Sequence, residues 1–211
     1  MQEKRTKAPV RVIGVTGGVG SGKSRILELL STEFGARVIL ADQVAKELEE
    51  PGQAGLSRLL EAFGDGILGP DGTLDRGRFA ERIFHDPVAL RTVNEIIHPL
   101  TWQEIRRQIW ESGESLIAVE SALFDETTKE ICQELWLVDA SEKIRIRRLM
   151  DSRGYSREKC EKIIRSQKSR GDFIKLADVV IENNGSIEEV RAQIAARLQE
   201  SKKTDDKGTA V

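Results

Sequence analysis

The octapeptide Gly17-Gly18-Val19-Gly20-Ser21-Gly22-Lys23-Ser24 constrains this chain more than any other segment. It satisfies G-x-x-x-x-G-K-[ST] and lies between an apolar, strand-like run, Val10–Thr16, and a helix-period stretch carrying Ile26, Leu27 and Leu30. Glycine permits left-handed backbone and close approach, so successive N–H groups can wrap a phosphate. The N-terminus of the following helix adds the positive end of its dipole. In such a loop Lys23 reaches the β- and γ-phosphates of a nucleotide and the Ser24 hydroxyl holds Mg²⁺. The alternative is a glycine turn that binds nothing, and the agreement of motif, strand and helix argues against it.

Four further runs rich in Val and Ile follow: Ala36–Leu40, Ser115–Val119, Glu134–Val138 and Ala177–Ile181. Helix-period segments separate them, the alternation of a parallel α/β sheet covered on both faces. The expected fold is therefore a P-loop NTPase core, a five-stranded parallel sheet flanked by helices. One domain spans 10–200, with 1–9 and 201–211 as flexible termini. About 75 residues separate the second and third strands, too many for a structureless loop, so 43–114 reads as a helical insertion. There Val93, Ile96, Ile97 and Leu100 share a face that Trp102, Ile105 and Ile109 continue, with Pro99 expected to end one helix and start the next. Residues 141–176 are dense in Arg and Lys and read as an exposed helical lid able to move. Ser186 and Glu189 form a capping box before a last helix with Ile187, Val190, Ile194 and Leu198 on one face.

Charge and cysteine usage remove other classes. The 33 Lys+Arg and 35 Asp+Glu nearly cancel, so no global field recruits nucleic acid or an anionic membrane. No apolar run reaches the ~20 residues of a membrane span, and the charged start leads into no secretory signal. Cys132 and Cys160 form no CxxC pair, which fits a reduced, cytoplasmic protein without a zinc module. No Asn-Lys-x-Asp guanine-reading element occurs, and the chain is short for a motor, so a small kinase remains.

A small kinase needs an acceptor pocket, carboxylates at strand ends and mobile arginines. Asp42 follows the second strand, where a carboxylate can take the proton of an acceptor hydroxyl; a helix N-cap is the alternative. Glu120 ends the third strand, placed either to hold Mg²⁺ through water or to make a surface ion pair. Arg145, Arg147, Arg148, Arg153, Arg157, Arg165 and Arg170 populate the lid, and most of such a run is ordinarily a solvated face. His98, before Pro99 at a helix junction, reads as a packed or capping histidine rather than a base. Trp102, Trp110 and Trp136 read as core or half-core, and both cysteines as ordinary thiols.

From about Val12 to Leu198 the chain resembles the dephospho-coenzyme A kinase family. The resemblance rests on Thr16–Ser24, Ala41-Asp42, Glu50-Pro51-Gly52, the Pro70–Arg76 stretch and Arg82-Ile83-Phe84. It continues through Ile97-His98-Pro99, Leu123-Phe124, Arg148-Leu149-Met150, Ser166-Gln167, the Ala177–Ile181 run and Asn184-Gly185. It implies a helical acceptor-binding insertion, a lid, and transfer of the γ-phosphoryl group of ATP, with Mg²⁺, to the 3′-hydroxyl of a small-molecule substrate, dephospho-coenzyme A. By resemblance Asp42, Lys23 and Arg148 are the catalytic set, Gly18 to Arg25 bind the nucleotide, Arg25 through its backbone, and Ser24 binds the metal. Neither nucleic acid nor membrane is an implied partner, and the state is a monomer or small homo-oligomer. Another small-molecule or nucleoside monophosphate kinase, or a nucleotide-binding protein without catalysis, is the rival reading. Departures are Leu40, where the family carries the first Asp of Asp-Ala-Asp; Phe173, where Lys or Arg is usual; and Asp125, in place of Glu. Arg153 is offset from the family's Arg-Asp-Gly.

Overall fold

The computed structural model describes residues 10–125 and 129–208. Five strands, β1 (Arg11–Thr16), β2 (Arg37–Leu40), β3 (Leu116–Glu120), β4 (Glu134–Asp139) and β5 (Val179–Glu182), form one parallel sheet in the order β2-β3-β1-β4-β5. The central strand β1 pairs with β3 from Arg11↔Leu116 to Val15↔Glu120 and with β4 from Ile13↔Glu134 to Thr16↔Leu137. The strands fall where the apolar runs lie. β5 starts later than its run because Asp178 closes the end of β4, its backbone N–H donating to Leu135 O and its Oδ2 accepting from Leu135 N at 2.8 Å.

Two compact units result, 1–38 with 114–211, and 39–113. In the first, α1 (Lys23–Thr32) and α9 (Ile187–Gly208) cover β1 and β4, burying Ile13, Val15, Ile26, Leu30, Trp136, Val190 and Ile194. Trp136 brings a polar atom into this core and is satisfied there: its Nε1 donates to Glu134 Oε2 at 2.7 Å, and Glu134 also accepts from Arg11 and Arg197. The predicted capping box forms, with Glu189 N donating to Ser186 Oγ at 3.3 Å and Ser186 N to Glu189 Oε2 at 3.0 Å. The last helix continues to Gly208, well past the point where the sequence suggested a flexible tail, since extending an established helix costs little. Residues 1–9, expected to be flexible, lie outside the described residues.

Between β4 and β5 come α6 (Glu142–Arg153), α7 (Arg157–Arg165) and α8 (Arg170–Leu176). They are less solvated than their composition suggests. Ile146, Leu149 and Cys160 form a small buried cluster, packed by Tyr155, Ile164 and Val19.

The second unit holds α2 (Ala41–Leu48), α3 (Ala54–Phe63), α4 (Arg76–His85) and α5 (Pro87–Glu111), around Leu56, Leu59, Ile67, Leu74, Phe79 and Ile97. Pro99 does not divide α5. It is exposed, so the Glu95 carbonyl deprived of its i+4 donor can face water, while Ile97, Leu100, Trp102 and Ile105 bury on the other side and hold the helix through the proline. Trp110 is also not core: it is 82% exposed, five residues on from buried Ile105 and so about 140° around the helix from it.

Asp178 anchors the β4–β5 junction through Leu135 N and through Lys129 Nζ at 2.9 Å. Burial pushes its carboxyl upward, but these two donors outweigh burial and hold it below the ordinary carboxylate value. A carboxylate depressed in the native state stabilises above its unfolded pKa, and that contribution disappears as pH falls through the native value. We expect Asp178→Asn to lower the urea midpoint at pH 7, and the wild-type and variant midpoints to converge as the pH is lowered toward 3.

Candidate active site

The motif folds as its chemistry requires. Buried β1 delivers the chain to Gly17, the loop turns through Gly20 and Gly22, both at positive φ, and α1 begins at Lys23. Gly22 is the N-cap at φ 94°, and a Cβ there would collide with the Asn183 side-chain amide, so conformation and space both demand glycine. Among the described residues the N–H groups of Gly20, Gly22 and Ser24 take no protein acceptor. The Ser21 hydroxyl is buried without a hydrogen-bond partner. Unpaired donors at a helix N-terminus fit a phosphate chain, which would satisfy them together.

Lys23 Nζ donates to Gly17 O at 2.7 Å and lies 3.8 Å from Glu120 Oε1, a carboxylate only 16% exposed at the end of β3. Ser24 is exposed in the first turn of α1, and its hydroxyl has no partner among the described residues. Ser24 and Glu120 are thus the residues fit to hold Mg²⁺. Arg25 points its side chain outward to Glu28, at 2.6 Å, leaving only its backbone for the loop.

Of the seven arginines proposed for the lid, two contact this loop. Arg148 donates from NH1 to Ser21 O at 2.9 Å and from NH2 to Asn183 O at 3.0 Å. Arg145 Nε donates to Val19 O at 2.8 Å. Burial lowers the proton affinity of both guanidiniums: at Arg148 the Arg147 charge adds to it, and at Arg145 Glu142 and Asp139 oppose it. Both stay protonated, as arginine does, and a desolvated cation bonded to neutral carbonyls is an incomplete anion site. Arg157 and Arg165 instead pair with Glu161, and Arg170 with Asp139 at 2.8 Å. Arg147 and Arg153 are exposed.

Beside the loop, a cavity of about 380 Å³ is lined by Gly18, Asp139, Arg145, Gln167, Arg170 and Phe173. Phe173 is buried, and α8 packs on β4, so its departure from a basic residue supplies an apolar wall. Two residues whose roles the sequence did not reveal stand out. Asn183, after β5, donates to Ser21 O at 2.7 Å, and Gln167 accepts from Val19 N at 3.0 Å. Nothing in the residue pattern marked Asn183; Gln167 was visible only as part of a family segment.

In the helical unit, Asp42 is the second residue of α2, exposed and without a protein hydrogen bond among the described residues. It is not the N-cap. Leu40 is, and an aliphatic side chain cannot cap. His98 is packed inside α5, its Nε2 accepting from Trp102 Nε1 at 3.1 Å, which leaves the ring proton on Nδ1 and withdraws Nε2 from base duty. Burial, followed by the Asp178 charge, pushes the Cys132 thiol up to about 12, so it is no nucleophile.

A parallel sheet with this loop, a basic residue set over it and a helical unit after β2 is the architecture of the P-loop kinases. The dephospho-CoA kinase family model matches residues 11–189, and the chain belongs to that family. It is 37% identical over 198 residues, 92% of this chain and 96% of the relative, to the dephospho-CoA kinase of Carboxydothermus hydrogenoformans. Among solved structures it is similar to TT1252 from Thermus thermophilus (TM-score 0.74, 31% identity, 92% of this chain and 98% of that one). The dephospho-CoA kinase of Campylobacter jejuni shares the fold at TM-score 0.66 and 22% identity, with 92% and 98% of the two chains covered.

Leu40, 41% exposed at a cap position, leaves the first N–H groups of α2 without a side-chain acceptor. We expect Leu40→Asp to raise stability by about 1 kcal/mol, read as a shift in urea midpoint at constant slope.

Proposed function

We propose that this chain transfers the γ-phosphoryl group of ATP to the 3′-hydroxyl of dephospho-coenzyme A, giving coenzyme A and ADP. The observation that carries the reading is the extent of the family match: residues 11–189 include the phosphate loop and the whole helical unit 39–113.

The loop N–H groups of Gly20, Gly22 and Ser24, with the Lys23 ammonium, hold the β- and γ-phosphates. Lys23 exchanges its bond to Gly17 O for phosphate oxygen. Ser24 and Glu120 would hold Mg²⁺, which would neutralise phosphate charge. Arg148 adds positive charge beside Ser21. Asp42 accepts the proton of the ribose hydroxyl as its oxygen bonds to Pγ and the Pγ–O bond to ADP breaks. In a parallel sheet, ligands gather at the carboxyl ends of the strands, and β1 and β2 lead directly into Lys23 and Asp42. The Asp42 carboxylate, exposed and without a hydrogen bond among the described residues, is available to an acceptor. No covalent intermediate forms on the protein, so rate comes from positioning and electrostatics.

Acceptor-dependent ADP release from MgATP tests the reading, with nucleoside monophosphates as parallel acceptors. Stimulation by dephospho-coenzyme A alone is expected; a nucleoside monophosphate that works better would overturn it. For the base, Asp42→Asn is expected to lower kcat about 10²–10⁴-fold while MgATP affinity stays within twofold. Wild-type turnover in this variant would remove Asp42 from the mechanism.

A further inference from the structure

We infer that Arg145 and Gln167 form a clamp on the Val19 peptide that sets the nucleotide loop in its phosphate-accepting shape before nucleotide arrives. This rests on the kinase reading and adds to it two positioning residues that need not touch substrate.

The geometry is a closed ring. Val19 N donates to Gln167 Oε1 at 3.0 Å, Arg145 NH2 donates to the same Oε1 at 2.8 Å, and Arg145 Nε donates to Val19 O at 2.8 Å. Both polar groups of one residue in the loop are thus held by side chains from outside it. Neighbouring glycines are fitted against the same residue, Gly18 against its guanidinium and Gly20 against its backbone. A Cβ on Gly18 would overlap Arg145 NH2, and one on Gly20 would sit 2.9 Å from Arg145 O. The Val19 side chain packs against the buried cluster of Ile146, Leu149 and Cys160, so the loop is held by its apolar group as well as its peptide.

Stability alone is a poor reason to build such a contact. Burying a guanidinium against neutral acceptors costs desolvation that the hydrogen bonds only partly offset. What the clamp supplies is order. Gly17, Gly18, Gly20 and Gly22 give this loop many accessible conformations, and phosphate binding selects one. Fixing the Val19 peptide beforehand removes part of that ordering cost from the binding step. The clamp leaves the useful donors alone: Gly20 N, Gly22 N and Ser24 N take no acceptor among the described residues. Arg145 NH1 also takes no protein acceptor among the described residues.

The test measures MgATP affinity by calorimetry without acceptor, kcat and KM, and thermal stability. The variants are Gln167→Leu, Arg145→Ala, Gly18→Ala, and the doubles Arg145→Ala/Gln167→Leu and Arg145→Ala/Gly18→Ala. Gln167→Leu and Arg145→Ala are each expected to weaken MgATP about tenfold and raise its KM by the same factor, with kcat within threefold and the KM for dephospho-coenzyme A unchanged. Members of one ring are non-additive, so each double should bind MgATP no worse than Arg145→Ala alone. Gly18→Ala is informative because its Cβ displaces the guanidinium without deleting it. Wild-type MgATP affinity in Gln167→Leu and Arg145→Ala overturns the clamp. So does a loss that follows lowered thermal stability and weakens both substrates alike. Absence of dephospho-coenzyme A turnover in the wild type would strike the functional reading instead, and the calorimetric shifts would still decide the clamp.

Discussion

The demand that shapes this molecule is that several backbone N–H groups be kept both ordered and unsatisfied. Folded chains ordinarily pair such donors, because an unpaired donor shielded from water is costly. Here the groups at Gly20, Gly22 and Ser24 stay open, and the surrounding structure opposes their collapse into ordinary turns. β1 is fully flanked in the sheet and fixes where the loop begins. α1 buries Ile26 and Leu30 and fixes where it ends. Asn183 and Arg148 hold the Ser21 carbonyl, and Arg145 and Gln167 hold Val19. The peptide groups of Val19 and the carbonyl of Ser21 are thus tied to side chains from outside the loop.

That arrangement explains why the basic segment between β4 and β5 is divided in character. Arg157 and Arg165 balance Glu161 on one helix, the behaviour of a solvated face. Arg145 and Arg148, three apart on α6, share the side of the helix turned to the loop, and neither bonds a carboxylate among the described residues. Helical spacing separates the two kinds: loop-bonded Arg145 and Arg148 flank exposed Arg147 because a helix turns neighbouring residues to different faces.

How much of this was legible beforehand follows from the range of the forces involved. The motif and the five strands were readable because both are written in contiguous residues, an apolar run or a glycine spacing. The capping box at Ser186 was readable for the same reason. Pro99 misled because its rule is local while its outcome is tertiary: burial of Ile97, Trp102 and Ile105 outweighed the lost hydrogen bond. Leu40 could be seen to be unusual, but that its position is a helix cap needed the backbone. Asn183 and Gln167 act across more than a hundred residues of sequence, and a lone amide side chain carries no periodicity that would point to a partner so distant. The site was therefore legible where one segment makes it and illegible where remote segments support it.

The pairing of β1 has a further consequence for how the chain comes into being. Its neighbours are β3, first met at Leu116, and β4, first met at Glu134, and the Arg197 that bonds Glu134 comes later still. During synthesis at roughly 5–20 residues per second, the segment that starts the nucleotide loop spends several seconds exposed with both edges bare. In that interval Val12, Ile13 and Val15 form a short hydrophobic strand that any other β edge could capture. The nucleotide loop, among the first parts to be made, is among the last to take its shape, and crowding of nascent chains threatens it before it threatens the helices that fold from local contacts.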